Sequence, residues 1–219
     1  MKLVVKDYNK DIKGKVILDN INLEFKSGKI YGFYGRNGSG KTMLFRAIST
    51  LIRPSSGDVL VDGKSILNED FDLSKIGILI EDPGFYSSLT GYDNLEMLYR
   101  INNKKNKKHL LKILDLVGLI NVKDKKYKEY SLGMKQRLRI AQAIMEDQNL
   151  IILDEPTNGL DEAGINDIRD IIVEEKKKDK LILIASHNKE DLKILCDVIY
   201  KLDKGKVVGD ITKEIKNDK

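Results

Sequence analysis

The stretch GRNGSGKT, Gly35 to Thr42, constrains the fold more than any other part of this chain. It follows the apolar run KIYGFYG and leads into KTMLFRAISTLI, so the backbone must pass from a strand through a glycine-rich turn into a helix. Gly at the first and sixth positions, followed by Lys and Ser or Thr, is the pattern in which backbone N–H groups turn toward phosphate oxygens. In that pattern Lys41 reaches the terminal phosphates and Thr42 ligates Mg²⁺, while Arg36, Asn37, Gly38, Ser39 and Gly40 complete the cradle begun at Gly35. The positive end of the following helix faces the same anion. That helix is expected to place Leu44, Ile48 and Leu51 on one face and to stop at Pro54.

The rest of the chain fits around this unit. LVV near Lys2, KVIL before Asp19, INLEF from Ile21 and GDVLVDG from Gly57 read as further strands. After residue 130 a helix (GMKQRLRIAQAIMED), an apolar strand (LIILDE), a helix (INDIRDIIVEE), a second apolar strand (LILIAS) and a helix (KEDLKILC) follow in turn. Continuous apolar strands alternating with helices predict an α/β fold with a parallel sheet covered on both faces. Between Pro83 and Glu129 the texture changes. Thr90 and Asp93 form a cap signal, and Leu110, Ile113, Leu114 and Val117 recur at helical spacing with Lys107, Lys108 and Lys112 off that face. The expectation is one domain over 1–219, with a core at 1–82 and 130–219 and an inserted helical lobe at 83–129, a size that buries a substantial core.

Two further motifs carry chemistry. LIILDEPTNGLD ends a buried strand on Asp154 and Glu155, which can present both carboxylates at the sheet edge where ligands of open α/β sheets bind. Asp154 there holds Mg²⁺ through water, and Glu155 orients and deprotonates an attacking water. In YSLGMKQRLRIA, Ser131 and Gly133 precede a helix, and Lys135 and Arg137 are expected in its first turn, where positive charge opposes the helix dipole unless an anion sits there. Taken alone, this stretch reads as an ordinary Ser-capped helix.

Together these motifs resemble the nucleotide-binding subunits of ATP-binding cassette (ABC) transporters over essentially the whole chain. The resemblance implies a P-loop NTPase of RecA-like core, with an N-terminal antiparallel β subdomain and an inserted α-helical subdomain. It implies ATP and Mg²⁺ as cofactors. YSLGM stands where the family usually has Leu-Ser-Gly-Gly-Gln, so Ser131 and Gly133 match while Tyr130, Leu132 and Met134 depart. The same resemblance assigns Tyr8 to stacking on adenine, Asp161 to the loop linking two sites, and His187 to the γ-phosphate. Glu81 takes the place of a glutamine that reaches Mg²⁺. A carboxylate keeps the ligand oxygen and adds charge, which Mg²⁺ tolerates; without metal and phosphates, Glu81 is expected to face Asp154 and Glu155 with no neutralising partner. No role is assigned to the neighbouring Asp82.

Family membership further implies a head-to-tail dimer, a homodimer in the simplest case, in which Ser131 and Gly133 of one ATPase subunit cover ATP on the other. It also implies a separate polytopic membrane permease and a place on the cytoplasmic, inner face of the cell membrane. IEDPGFYSSLTGYDNL resembles exporters that protect bacteria from bacitracin and lantibiotic peptides. Composition adds little: 39 Lys and Arg against 34 Asp and Glu, a net +5, is compatible with anionic partners and demands none, and no nucleic acid is expected. The single cysteine, Cys196, excludes an intramolecular disulfide and is expected to be a buried thiol, and no leader or membrane span is read in the chain. Two other readings stay open. Asn188 to Asp191, NKED, matches the guanine-reading motif of phosphate-loop GTPases, and a non-transport cassette ATPase of the iron–sulfur assembly type shares the principal motifs.

Overall fold

The computed structural model describes residues 1–68, 72–81 and 83–217. The elements are β1 (Lys2–Ile12), β2 (Lys15–Lys26), β3 (Ile30–Tyr34), α1 (Lys41–Ile48), β4 (Ser56–Val61), β5 (Lys64–Ser65) and β6 (Ile76–Leu79). Then come α2 (Gly91–Tyr99), α3 (Lys107–Leu116), α4 (Leu132–Ile144), β7 (Leu150–Asp154), α5 (Glu162–Lys177), β8 (Leu181–Ser186), α6 (Lys189–Leu195), β9 (Val198–Asp203), β10 (Lys206–Asp210) and α7 (Thr212–Asn217). Among the described residues the strands form two sheets. One is antiparallel, in the order β2-β1-β4-β5, and the other runs β10-β9-β3-β8-β7-β6, parallel except for its β9–β10 hairpin.

Strand alternation explains why the parallel sheet holds two cores. Leu150 and Ile152 of β7 point to the face covered by α1 and the antiparallel sheet, where they meet Phe33, Phe45, Ile48 and Leu183. Ile151 and Leu153 point the other way and join Leu79, Ile184, Leu138, Ile140 and Ile168. Leu95 of α2 and Leu110 and Leu114 of α3 belong to this second cluster, so the helical segment shares its core with the sheet. Thr90 caps α2 by accepting Asp93 N–H at 3.0 Å, as its spacing from Asp93 predicts. Lys107, Lys108 and Lys112 stay exposed on α3, opposite its apolar stripe. Cys196 is buried against Gly32, as expected for a structural thiol.

Several expectations need correction. KVIL and INLEF belong to one strand, β2, with Asn20 at φ 49° between them. The helix after Gly40 ends at Ile48 rather than running toward Pro54. Ser49 Oγ donates to Phe45 O at 2.8 Å and Thr50 turns to φ 63°, so Leu51 leaves the apolar face and is exposed. β9, β10 and α7 come in addition to the elements the sequence predicts. No described helix is long and apolar enough to cross a membrane.

Candidate functional site

The glycine loop between β3 and α1 lines a cleft of about 640 Å³, walled by Lys15 to Ile17 of β2, Asp154, Glu155 and Lys204–Gly205. Gly35 is required by close packing, because a Cβ there would lie 2.4 Å from Leu202 O and 2.5 Å from Ser39 Oγ. Gly40, the N-cap of α1, sits at φ 108°, a conformation that side chains rarely adopt. Ser39 N–H donates to Arg36 O at 3.0 Å and Gly205 N–H to Ser39 O at 2.8 Å, which clamps the loop from both sides. The start of α1 has no side-chain cap and no acidic residue in its first turn, so its N–H groups remain for an anion. Ser39 Oγ is buried without a hydrogen-bond partner, and Lys41 Nζ donates to Gly35 O at 2.7 Å at the same loop. Arg36, Asn37, Gly38 and Thr42 complete the predicted stretch. An orphan hydroxyl, a bare helix end and a lysine in one cradle fit a polyphosphate.

β7 delivers its two carboxylates to the edge of this cleft. Thr42 Oγ1 donates to Asp154 Oδ2 at 2.5 Å. Burial raises the Asp154 carboxyl, with Glu155's charge acting the same way, while the Thr42 hydrogen bond and the charges of Lys41 and Arg46 oppose the rise. Glu155 adopts φ 51°, a left-handed conformation costing a non-glycine residue about 1 kcal/mol or more, and its N–H donates to Ala185 O at 2.9 Å. Its carboxylate is held from β8 and beyond: Oε1 accepts His187 N–H at 3.1 Å, and Oε2 lies 2.9 Å from His187 Nδ1. From α4, Gln136 Nε2 donates to Pro156 O at 2.8 Å and to Glu155 O at 3.3 Å.

Glu81 follows β6 and lines a smaller hollow together with Asp154 and Glu155. It does not lack a counter-ion. Arg46 of α1 forms an ion pair with it, because Arg46 lies one turn after Thr42 and so on the face of α1 that Thr42 turns toward Asp154. Asp82 lies outside the described residues. Thr42, Asp154 and Glu81 supply hard oxygens, yet the described residues contain no group of three acidic, His or Cys side chains able to hold a metal by themselves. That set fits Mg²⁺ arriving with phosphates and water, its usual company.

Tyr8 is not at the cleft. Asp7 at φ 46° bulges β1 and shifts its register, which turns Tyr8 from the alternation of Leu3 and Val5 into the core, fully buried, with its hydroxyl donating to Ile52 O at 3.1 Å. Stacking on a base is closed to it. Of the apolar side chains that line the cleft beside the loop, Val16, Ile17 and Met43, the most exposed is Val16 at 57%, which sequence reasoning passed over. Ser131 caps α4 by accepting Met134 N–H at 3.2 Å, with Gly133 in the first turn beside Leu160. The cations near that helix start are already engaged: Arg137 bonds Asp167 at 2.7 Å and Val117 O at 3.1 Å, and Lys135 lies over the Tyr127 ring. Neither therefore calls for an anion there. Asp161 caps α5 through Gly164 N–H at 3.0 Å. In NKED, Asn188 caps α6, and Asp191 is 1% exposed, bound to Thr157 Oγ1 at 2.5 Å and to Arg169 at 2.6 Å. A carboxylate so enclosed cannot read a guanine edge, so the GTPase reading is dropped.

Three signals found from the fold were faint or absent in the sequence. Arg46 could have been placed by its spacing of four from Thr42 on a helix. Gln136 and Val16 had no local signature.

Comparison with known proteins agrees with this geometry. Residues 18–158 match the ABC transporter family. The chain is 42% identical over 204 residues to the uncharacterized ABC transporter ATP-binding protein YybJ of Bacillus subtilis, covering 93% of each. It is 40% identical to the bacitracin transport ATP-binding protein BcrA of Enterococcus faecalis, covering 89% of this chain and 64% of that one. To the lantibiotic transport ATP-binding protein SrtF of Streptococcus pyogenes it is 36% identical, covering 94% and 89%. Among solved structures, cbiO1 of Clostridium perfringens, part of the ABC transporter complex cbiONQ, superposes with a TM-score of 0.83 at 31% identity over 99% and 90% of the two chains. The dimeric bacterial ABC transporter cassette MJ0796 shares the fold, with a TM-score of 0.87 at 24% identity over 95% and 97%. Glycine cradle, paired carboxylates and Ser-capped helix thus stand in a chain that belongs to the ABC transporter family, as one of its ATP-binding, ATP-hydrolysing cassettes.

Proposed function

We propose that this cassette powers export of a drug, peptide antibiotic or similar amphiphile through a separate polytopic permease, from the inner face of the cell membrane. The observation that carries the catalytic part is the placement of Glu155, locked by His187 at the cleft edge next to the Thr42–Asp154 contact. The bacitracin and lantibiotic relatives support the substrate class, and their transport names disfavour the iron–sulfur alternative.

The chain's own residues divide the work. Backbone N–H groups from Gly35 to Thr42 bind the phosphates, and Lys41 transfers its ammonium from Gly35 O to a terminal phosphate oxygen. Thr42, Asp154 through water and Glu81 would hold Mg²⁺, which would supply neutralisation of phosphate charge. Glu155 accepts the proton of the attacking water, and His187 keeps that carboxylate aimed, leaving its other ring nitrogen for the γ-phosphate. Val16 supplies an apolar wall for the base, the part Tyr8 cannot play.

One chain holds half of each working site in this reading. Ser131 and Gly133 of a second copy cover the nucleotide, Asp161 lies on the path between sites, and Leu132, 64% exposed between Ser131 and Gly133, has apolar surface to cover. The 83–129 lobe docks on cytoplasmic loops of the permease, where closure of the dimer is transmitted. Steady-state ATPase activity against protein concentration, with GTP in parallel, tests this. Turnover per subunit that rises with concentration and falls about 10²- to 10⁴-fold in Glu155→Gln is the expected result; equal turnover of the two proteins removes Glu155 as base. Co-purification with a polytopic membrane protein tests the transport assignment.

A further inference from the structure

We propose that Arg46 is the resident counter-ion of Glu81, occupying that carboxylate when no metal is bound and yielding it to Mg²⁺ as the nucleotide enters. The inference rests on the nucleotide-site reading above and goes beyond it by giving a role to a residue outside the phosphate loop. Its basis is geometric. Arg46 is the ion-pair partner of Glu81, the pair spans α1 and the segment after β6, and Glu81, Asp154 and Glu155 share one hollow. Arg139 also lines that hollow, but Arg46 is the cation paired with Glu81 itself.

Guanidinium and divalent cation want the same oxygens, and they repel each other when both are near. Glu81 is well placed to change partners, since its side chain is 65% exposed and that of Arg46 is 30% exposed, so the pair is weakly held and solvent can replace either side. The exchange makes metal entry a competition. Glu81 reaches Mg²⁺ only by releasing Arg46, and Arg46 recaptures it when the metal leaves with the product. In this arrangement Glu81 keeps a counter-ion in the nucleotide-free site, and the segment after β6 is tied to α1 until metal and phosphates arrive together.

The test is binding of a fluorescent methylanthraniloyl-ATP to the purified full chain, titrated with Mg²⁺ at fixed analogue, for wild type, Arg46→Gln, Glu81→Gln and the double variant. Arg46→Gln is expected to lower the Mg²⁺ midpoint about 3- to 10-fold, the scale of an exposed ion pair together with relief of a nearby positive charge. In the Glu81→Gln background the same change is expected to do clearly less, the difference measuring the coupling. Arg46→Lys keeps the charge and should stay near wild type, which covers the case in which Arg46→Gln folds poorly. A midpoint that is unchanged or raised in Arg46→Gln, or an equal shift in both backgrounds, overturns the exchange; a raised midpoint means that Arg46 orients Glu81 for the metal instead. Absence of analogue binding by every protein at every Mg²⁺ concentration overturns the nucleotide site itself, and the role of Arg46 with it.

Discussion

His187 meets Glu155 twice, with its backbone N–H on one carboxylate oxygen at 3.1 Å and its ring Nδ1 2.9 Å from the other. The first contact belongs to the backbone of the loop after β8 and survives any side-chain change; the second does not. His187→Ala is therefore expected to keep Glu155 in place but free its carboxylate to rotate, and to remove one group from the γ-phosphate. Turnover should fall about 10- to 100-fold, less than for loss of the base, with ATP affinity within about threefold of wild type. Single-turnover hydrolysis and equilibrium binding, measured side by side, check this. An equal loss in both would mean that His187 serves binding.

Asp154 makes stability and function oppose each other. Burial raises its carboxyl above the ordinary value, so folding favours the protonated form; the associated stability is full below the unfolded-state value and is lost as pH rises through the folded one. When ionised, Asp154 is a half-buried charge that Thr42 and two nearby cations soften. Asp154→Asn should raise the melting temperature at pH 7, by about 2–4 °C for each kcal/mol relieved in a chain of this size, and give little or no gain near pH 4. It should also abolish Mg²⁺-dependent turnover. Melting curves at the two pH values decide the sign.

Gly77 explains how closely α4 lies on β6. A Cβ at this position would come 1.9 Å from Ala143 O, backbone that cannot move without shifting the helix that carries Ser131 and Gln136. Gly77→Ala is expected to cost about 1–3 kcal/mol, the range of overpacked cores. Gly209→Ala is the control, since nothing lies within 4 Å of its Cβ position. Urea unfolding midpoints of the two variants should differ clearly, with the control near wild type.

The contrast between Glu155 and Tyr8 shows where sequence suffices. Glu155, Asp154, Lys41 and Thr42 belong to short motifs whose geometry is fixed by the residues around them, a strand end or a glycine turn, and the chain carries that geometry locally. Tyr8 is tied to the base only by its position in a family pattern, and a single bulge at Asp7 reverses the face it occupies. Arg46 and Glu81 are 35 residues apart, and Gln136 and Glu155 are 19 apart. Such pairs exist only once the sheet has brought their strands and helices together. The parallel sheet is readable from its apolar runs, whereas β9 interrupts its buried positions with exposed ones and β10, at the rim, has no buried residue, so both give a weaker signal.

Asp191 looks in sequence like the last residue of a base-reading motif, and in the fold it is the hub of a buried knot. Thr157 donates to one of its oxygens at 2.5 Å, and Arg169 donates to the other through Nε at 3.0 Å and Nη2 at 2.6 Å. The knot ties α5 and α6 to the loop that leaves Glu155, which gives Asp191 a mechanical part and no access to nucleotide. Asp191→Asn replaces a charged acceptor with a neutral amide and leaves Arg169, 14% exposed at its side chain, without its ion-pair partner. The expected cost is about 3 kcal/mol, the low end for breaking a buried pair, read as a lower urea midpoint. The ratio of ATP to GTP affinity should stay unchanged in the folded variant. A change in that ratio with stability intact would return Asp191 to the nucleotide and would require the loop between β7 and α5 to open far more than its hydrogen bonds allow.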